Sequence, residues 1–510
     1  MAMDHIIHAS KQERMDQENQ VDRISHLPDG ILGTIISLLT MREAVRTSVL
    51  STRWRNLWTR SLTNLVFDDD NVLLLKREYS DGFDVPYSQR KGNLWRKTTD
   101  FVTSVNQCLL MLKLNNLPNY KIKKLKIHFF FNSKKYCSRL DYWFAFAIAR
   151  GAEELDHSVL VIKYCRSPDE DELSAFPSED VLLISTPDGH GISARVSSLK
   201  CLRLGHNRLP DLRTYDFIFK GLKTLDLDSL DMVSDEHLHN VLSCCSFLEW
   251  LSIRDCYNLS KLSIEYPFCP HLRYLYINCR RLRVIEVNGV FNLEKFEFSG
   301  TIISFKFSNV PKLKTVFTRI FHSRKDGLGI IWSLTELPTM VPQLENLLLG
   351  CTRFLEAEFN PENLPTLGNL KHLTVLESGS VYKRSLMWIM NVLKACPLLE
   401  RLELHQRIDN YKEGSEEVNH RPPKCPHENL KEVLVSGACG YVREIEIEIY
   451  LLNNAVGLKK LTIDPRPRVY SGDGTWGSSE AIASWVTEGR DRVSQLILGE
   501  AGPNVEVFIL

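Results

Sequence analysis

Residues 248–318 read LEWLSIRDCYNLSKLSIEYPFCPHLRYLYINCRRLRVIEVNGVFNLEKFEFSGTIISFKFSNVPKLKTVFT. One unit, Leu-x-x-Leu-x-Leu with Ile, Val or Phe substituting, starts at positions 248, 259, 272, 282, 293, 302 and 313. The last two apolar positions of each copy alternate with one outward residue, which is strand periodicity. Successive starts lie only 9–13 residues apart. That interval is too short for a strand, a helix and two turns. The spacing therefore predicts that alternate copies lie on opposite walls. Those at 248, 272, 293 and 313 continue one sheet. Those at 259, 282 and 302 (Leu259/Leu262/Ile264, Leu282/Ile285/Val287, Ile302/Phe305/Phe307) form short strands where helices would otherwise stand.

Outward from this stretch the same unit returns at wider spacing. Earlier copies are Leu62/Leu65/Phe67, Ile122/Leu125/Ile127, Leu199/Leu202/Leu204 and Leu222/Leu225/Leu227. Later ones are Leu344/Leu347/Leu349, Leu370/Leu373/Val375, Leu399/Leu402/Leu404, Leu430/Val433/Val435 and Leu458/Leu461/Ile463. Between Leu222 and Leu248, Leu238, Val241, Leu242 and Cys245 share one helical face, and Ser234 stands where a cap is needed. A second such helix carries Leu386, Ile389 and Leu393. The expected fold class is therefore α/β: a leucine-rich-repeat solenoid whose parallel sheet curves, with helices and some short strands on the convex side. Before Leu199 the pattern weakens. Residues around Phe101, Val105, Cys108 and Leu112 predict one helix, and those from Asp141 to about Gly151 another. The stretch 165–197 has no clear register.

Composition bounds the chemistry. The 510 residues hold 63 basic and 63 acidic side chains, so a broad basic field for nucleic acid is not expected. The N-terminus lacks the uninterrupted apolar stretch of a secretory signal, and no run of 18 apolar residues predicts a membrane span. The 13 cysteines are odd in number and scattered, which suits buried thiols in a reducing compartment, cytoplasmic or nuclear. No phosphate loop, His-Glu-x-x-His helix or Gly-x-Ser-x-Gly elbow is present. The reading is a non-enzyme that needs no cofactor and no metal. Cys425-Pro426-His427 lacks a second ligand pair. Asp68-Asp69-Asp70 reads as a solvated loop or helix cap, and Lys121, Lys123, Lys124 and Lys126 and Arg280, Arg281 and Arg283 as wetted edges.

The N-terminal segment is of another kind. Residues 1–20 are polar and expected to be disordered. Leu27-Pro28-Asp29 then opens a helix carrying Ile31, Ile35, Leu38 and Leu39. Thr40 and Glu43 form a capping-box signature for a second helix. Ser51 can cap a third, with Trp54, Leu57 and Trp58 on one face. Three such helices bury too little surface to stand alone, and their apolar groups exceed what they can hide.

The ordered set Leu27-Pro28, Ile31, Ile35, Leu38-Leu39, Ala44, Val49-Leu50-Ser51 and Trp54-Arg55-Asn56-Leu57-Trp58 resembles an F-box, in particular that of the plant F-box/FBD/leucine-rich-repeat family. Asn429-Leu430-Lys431, Gly437, Cys439-Gly440, Leu451-Leu452, Asn454-Ala455 and Leu458 through Pro465 resemble the FBD module of the same family. In that module Ile445, Ile449 and Leu452 fall at helical spacing, although Ile445 to Ile449 also alternates like a strand; the continuation to Ala455 favours helix. The expected domains are a disordered 1–20, an F-box at 21–68, the repeats at 69–421 and an FBD module at 422–500 that caps the open sheet edge, with an irregular tail over 470–490.

The resemblance implies a substrate-recognition subunit of an SCF-type ubiquitin ligase. Leu27, Pro28, Ile31, Ile35, Leu38, Leu39, Val49, Leu50, Trp54, Leu57 and Trp58 would dock a Skp-type adaptor and through it a cullin. Outward residues of the repeats, Arg203, Asp226, Asp228, Ser252, Arg254, Tyr276, Asn278 and Glu403, would bind the target protein. The alternative is a leucine-rich-repeat scaffold or inhibitor that binds protein partners without ubiquitin transfer.

Overall fold

A Leu-x-x-Leu-x-Leu copy cannot bury its apolar row alone, so each becomes one strand stacked beside the next. In the computed structural model such stacking is found within each of the two compact units of the chain, Met1–Leu199 and Lys200–Leu510. The structure describes residues 24, 26–55, 57–68, 72, 87–114, 120–129, 137–158, 174–175, 198–205, 207–208, 220–230, 233–320, 328–351, 364–378, 388–407, 424–478 and 489–510.

The first unit begins with the helices α1 (Asp29–Ser37), α2 (Met41–Arg46), a 3-10 turn Thr47–Val49, α3 (Thr52–Arg55) and α4 (Leu57–Ser61). Pro28 stays extended just before α1, and the Thr40–Glu43 capping box is formed on both sides at the start of α2. Ser51 accepts from the backbone N–H of Trp54 at 3.3 Å, as its position predicted. After α4 come β1 (Asn64–Asp68), α5 (Tyr87–Leu114), β2 (Lys124–His128), α6 (Cys137–Ala149), β3 (Glu154–Ser158) and the two-residue β4 (Ser174–Ala175). Strands β1, β2 and β3 are parallel, with Leu65, Leu125 and Leu155 in register. Phe101 of α5 stacks on Phe129 with ring centroids 4.1 Å apart. Trp143 of α6 donates to Asn106 at 2.8 Å. Residues 1–20, most of 165–197, and Asp69 and Asp70 lie outside the described residues.

The second unit holds β5 (Cys201–Gly205), β6 (Asn207–Arg208), β7 (Thr224–Asp228), α7 (Asp235–Cys244), β8 (Trp250–Arg254), β9 (Lys261–Glu265), β10 (Tyr274–Asn278), β11 (Val284–Asn288), β12 (Lys295–Gly300), β13 (Ser304–Ser308) and β14 (Thr315–Ile320). It continues with α8 (Leu328–Met340), β15 (Asn346–Cys351), β16 (His372–Ser378), α9 (Trp388–Ala395), β17 (Arg401–Arg407), β18 (Glu432–Ser436), α10 (Val442–Asn454), β19 (Lys460–Asp464), β20 (Arg468–Gly472), β21 (Thr475–Ser478), α11 (Arg490–Ile497) and β22 (Glu506–Ile509). The main sheet of this unit runs β5-β7-β8-β10-β12-β14-β15-β16-β17-β18-β19-β22. The copies at 259, 282 and 302 form a separate parallel sheet, β13-β11-β9. The alternation read from the 9–13-residue spacing is therefore the observed topology.

Leu251, Leu275, Phe296, Val316, Leu347, Leu373, Leu402, Val433 and Leu461 stand in one register and are buried. Phe305 of the second sheet meets Phe298 of the first edge-on at 4.9 Å, closing the layer between them. Side-chain amides stitch the turns that precede the strands. Asn292, Asn369 and Asn429 each donate to the carbonyl of a proline in the preceding repeat, Pro270, Pro342 and Pro397, all at 2.9 Å. The strand-like alternation of Ile445–Ile449 lies inside α10, where Ile445, Ile447 and Ile449 are all buried.

One expectation changes. The tail over 470–490 contains a hairpin, β20 antiparallel to β21, with Gly472 facing Thr475. Asp473 and Gly474 at its tip have φ of 55° and 71°. Positive φ at both central residues is what a tight hairpin turn requires. The sheet also continues past residue 500, because β22 pairs in parallel with β19.

Candidate protein-interaction surfaces

The N-terminal helices divide their apolar groups between two destinations. Leu32 and Ile36 of α1 are buried, and Ala44, Trp54, Leu57 and Trp58 join them. A Cβ on Gly33 would lie 2.8 Å from Ser61 Oγ, so α1 and α4 pack in close contact. On the other side Ile31, Ile35 and Leu50 stay exposed, and Leu38 and Val49 are 83% and 87% exposed. Arg53 holds this side together by donating to Asp29 Oδ1 at 2.8 Å and to the carbonyl of Leu27 at 2.6 Å. Glu43 is held below its ordinary value by the Thr40 backbone and hydroxyl.

In the second unit, one face of the main sheet carries the outward residues of every repeat. Asp226, Ser252, Tyr276, Glu297, Phe317, Leu348, Thr374 and Glu403 are neighbours along its central row. At one end Arg254 sits 3.0 Å from Asp226 and 3.4 Å from Asp228. Burial pushes the Asp226 carboxyl up, and Arg254 offsets part of that rise. Near the other end Glu403 accepts from Arg401 at 2.7 Å and lies 3.0 Å from His405 and 3.3 Å from His372. Burial pushes the Glu403 carboxyl up, but hydrogen bonds and charge from the two histidines outweigh it and hold it well below the usual range. His405 also hydrogen-bonds Ser436 at 2.7 Å.

The hairpin β20–β21 lies on the middle of this face. The Tyr470 hydroxyl donates to Glu297 Oε1 and accepts from Gly474 N at 2.8 Å and from Lys295 Nζ at 3.3 Å. Asp473 N donates to Glu297 Oε2 at 3.1 Å, and Trp250 Nε1 donates to Asp473 Oδ1 at 3.1 Å. The Tyr470 ring meets Phe317 at 4.9 Å, and Trp476 lies against His405 at 4.8 Å. Burial first, then the neighbouring Glu297, push the Tyr470 phenol far above its ordinary value, so it stays a neutral donor.

Residues 24–64 match the F-box domain model, and residues 114–484 match the model described as At1g61320/AtMIF1, LRR domain. The chain is 27% identical to the F-box/FBD/LRR-repeat protein At2g04230 of Arabidopsis thaliana, over 89% of this chain and 91% of that protein. It is 27% identical to the FBD-associated F-box protein At3g52670 of the same plant, over 88% and 89% of the two chains. The chain belongs to the F-box/FBD/leucine-rich-repeat family. Neither matching family model is that of a catalytic family.

Placed on this family's architecture, the F-box residues separate. Pro28, Ile31, Ile35, Leu38, Val49 and Leu50 are exposed, and Leu27 and Leu39 are half-buried. Trp54, Leu57 and Trp58 are not on the exposed side: Trp58 is 1% exposed, and all three are core. Sequence periodicity finds the apolar faces but not which face the chain itself covers. All eight expected target-binding residues, Arg203, Asp226, Asp228, Ser252, Arg254, Tyr276, Asn278 and Glu403, lie on the face of the repeat sheet opposite its apolar row, but Asp226, Ser252 and Glu403 are buried there. Sequence reading missed Glu297, Tyr470 and Trp476. The Asp473-Gly474 dipeptide was the available signal for the hairpin that joins them. Among the described residues no group of His, Cys, Asp and Glu is arranged to hold a metal, and His427 of the Cys-Pro-His run instead hydrogen-bonds Tyr450 at 2.7 Å. Lys124 and Lys126 pair with Glu154 and Asp156. Among the described residues no helix is long and apolar enough to cross a membrane.

Proposed function

We propose that this chain is the substrate-recognition subunit of an SCF-type ubiquitin ligase, with the F-box engaging a Skp-type adaptor and the open sheet face engaging a target protein. One observation carries the reading: the F-box seals its tryptophans inside yet leaves Ile31, Ile35, Leu38, Val49 and Leu50 exposed. Full burial of one such side chain contributes about 1.5–3 kcal/mol, so an adaptor that covers several of them gains a stable contact. The chain then needs no nucleophile of its own. It raises the effective concentration of the target's lysines near a charged conjugating enzyme. Mixed acidic, basic and aromatic side chains on the open face suit a protein target.

The test is a pull-down of recombinant Skp-type adaptor and cullin by the wild-type chain and by L38D/V49D. The reading expects capture by wild type, loss of both partners by the variant, and an unchanged melting temperature, because both positions face solvent. Equal capture by the two chains would overturn it and leave the scaffold or inhibitor reading, in which partners bind without ubiquitin transfer.

A further inference from the structure

The hairpin β20–β21 is bound to the open face more like a ligand than like a core element. Only Tyr470 and Gly472 are buried; Ser471, Asp473, Gly474, Thr475, Gly477 and Ser478 are exposed. Its anchors are outward side chains of the sheet: Trp250, Lys295, Glu297, Phe317 and Arg319. The apolar row that holds the strands together points to the opposite face, so departure of the hairpin leaves that row intact and uncovers only the small cluster of Phe317, Leu348 and Leu376 on which Tyr470 packs. Water can then serve the exposed polar groups.

The site beneath it is built for particular donors. Glu297 is 0% exposed, and Lys295 lies 2.6 Å from its Oε1. Its Oε1 also accepts the phenol O–H, and its Oε2 accepts the Asp473 amide from the turn. A phenylalanine would leave a buried carboxylate oxygen one donor short. A phosphotyrosine would press a second negative charge against Glu297. Two residues beyond the phenol the ligand must also be small, because a Cβ on Gly472 would already lie 3.3 Å from the Tyr276 ring.

We propose that the pocket over Glu297 recognises an unphosphorylated tyrosine on a glycine-containing turn, and that the chain's own hairpin occupies it until a target turn of the same chemistry displaces it. This deepens the reading of the open face as target-binding and does not involve the adaptor.

The test uses a labelled, cyclised peptide of residues 468–478 and full-length chains without adaptor. The Tyr470→Ala chain, its own anchor removed, is expected to bind the peptide at least about tenfold more tightly than wild type, in which the pocket is filled. A phosphotyrosine peptide, and the Tyr470→Ala/Glu297→Gln chain, are each expected to show binding at least about tenfold weaker. No binding to the Tyr470→Ala chain, equal binding to wild type, or indifference to Glu297 or to phosphate would each overturn the proposal. Should Tyr470→Ala fail to fold, hydrogen exchange on the wild type decides. Displacement requires the Asp473 and Gly474 amides to exchange at least about a hundredfold faster than the β12 amides. Exchange at a common rate overturns it. Loss of adaptor binding in the earlier pull-down would leave these readouts unchanged.

Discussion

Arg53 clasps Asp29 across the F-box, with Nη2 and Oδ1 2.6 Å apart, while the same guanidinium donates to the Leu27 carbonyl. The pair is largely solvent-exposed, so its direct worth to stability is about 0–1 kcal/mol. Its greater effect is positional: it fixes the Leu27-Pro28 turn against α3, beside the exposed Ile31. Arg53→Ala is therefore expected to leave the melting temperature nearly unchanged and to weaken adaptor binding severalfold, read by titration calorimetry. The swap Arg53→Asp with Asp29→Arg restores part of that loss if the pair is the cause. A melting temperature that falls with unchanged affinity would refute the positional role.

Trp58 and Leu38 make the opposite contrast within the same helices. Trp58 is fully buried and Leu38 is exposed. Trp58→Ala removes a large core side chain and is expected to cost about 3–5 kcal/mol. Leu38→Ala is expected to stay within about 0.5 kcal/mol of wild type. Denaturant titration reads both. Equal losses would mean that the buried and exposed sides of the F-box have been assigned the wrong way round.

That contrast marks how far the sequence was legible. Repeat spacing carried the two-sheet arrangement of 248–318, because a 9–13-residue step leaves no room for a helix and strand periodicity is local. The F-box helices were legible as helices, but each has apolar groups on more than one side. Only the packing of α1 against α4 decides that Leu32 and Trp58 turn inward while Leu38 and Val49 do not. The open face followed from strand alternation, so its outward residues were found. The hairpin was not, because Arg468–Gly472 and Thr475–Ser478 lack an apolar alternation of their own. They are held by contacts to residues distant in sequence, Tyr470 to Glu297 and Asp473 to Trp250 among them, and such contacts have no local signature.

Gly437 is a position that the backbone dictates. It follows β18 with φ of 73°, and a Cβ there would stand 2.0 Å from the carbonyl oxygen of Gln406. Gly437→Ala is expected to destabilise by more than the roughly 1–3 kcal/mol of the left-handed conformation alone, since the neighbouring strand must also move. Gly368 has nothing within 4 Å of its added Cβ and serves as the control. Gly368→Ala is expected to be nearly neutral in the same thermal melt. A Gly437→Ala chain as stable as this control would contradict the close approach of β17 and β18.

Glu448 on α10 is 0% exposed, and neither carboxyl oxygen has a hydrogen-bond partner. One turn earlier, Glu444 accepts from the backbone amides of Cys439, Gly440 and Tyr441 at 2.8, 2.9 and 3.2 Å. Burial first, and then Glu444, push the Glu448 carboxyl well above its ordinary value of 4.5. The sign of its pH effect follows. Below 4.5 the folded and unfolded chains both keep the proton, and the residue adds no pH dependence. As pH rises past that value the unfolded chain releases its proton while the folded chain retains it, so stability falls until the folded carboxyl also ionises. Glu448→Gln removes this titration. Its stability relative to wild type is expected to climb between pH 5 and pH 7, by at most about 1.4 kcal/mol per pH unit for one proton. Urea titrations of both chains at pH 5, 6 and 7 measure the difference. A gap that stays constant or narrows with rising pH would show that Glu448 is already ionised and paired within the fold.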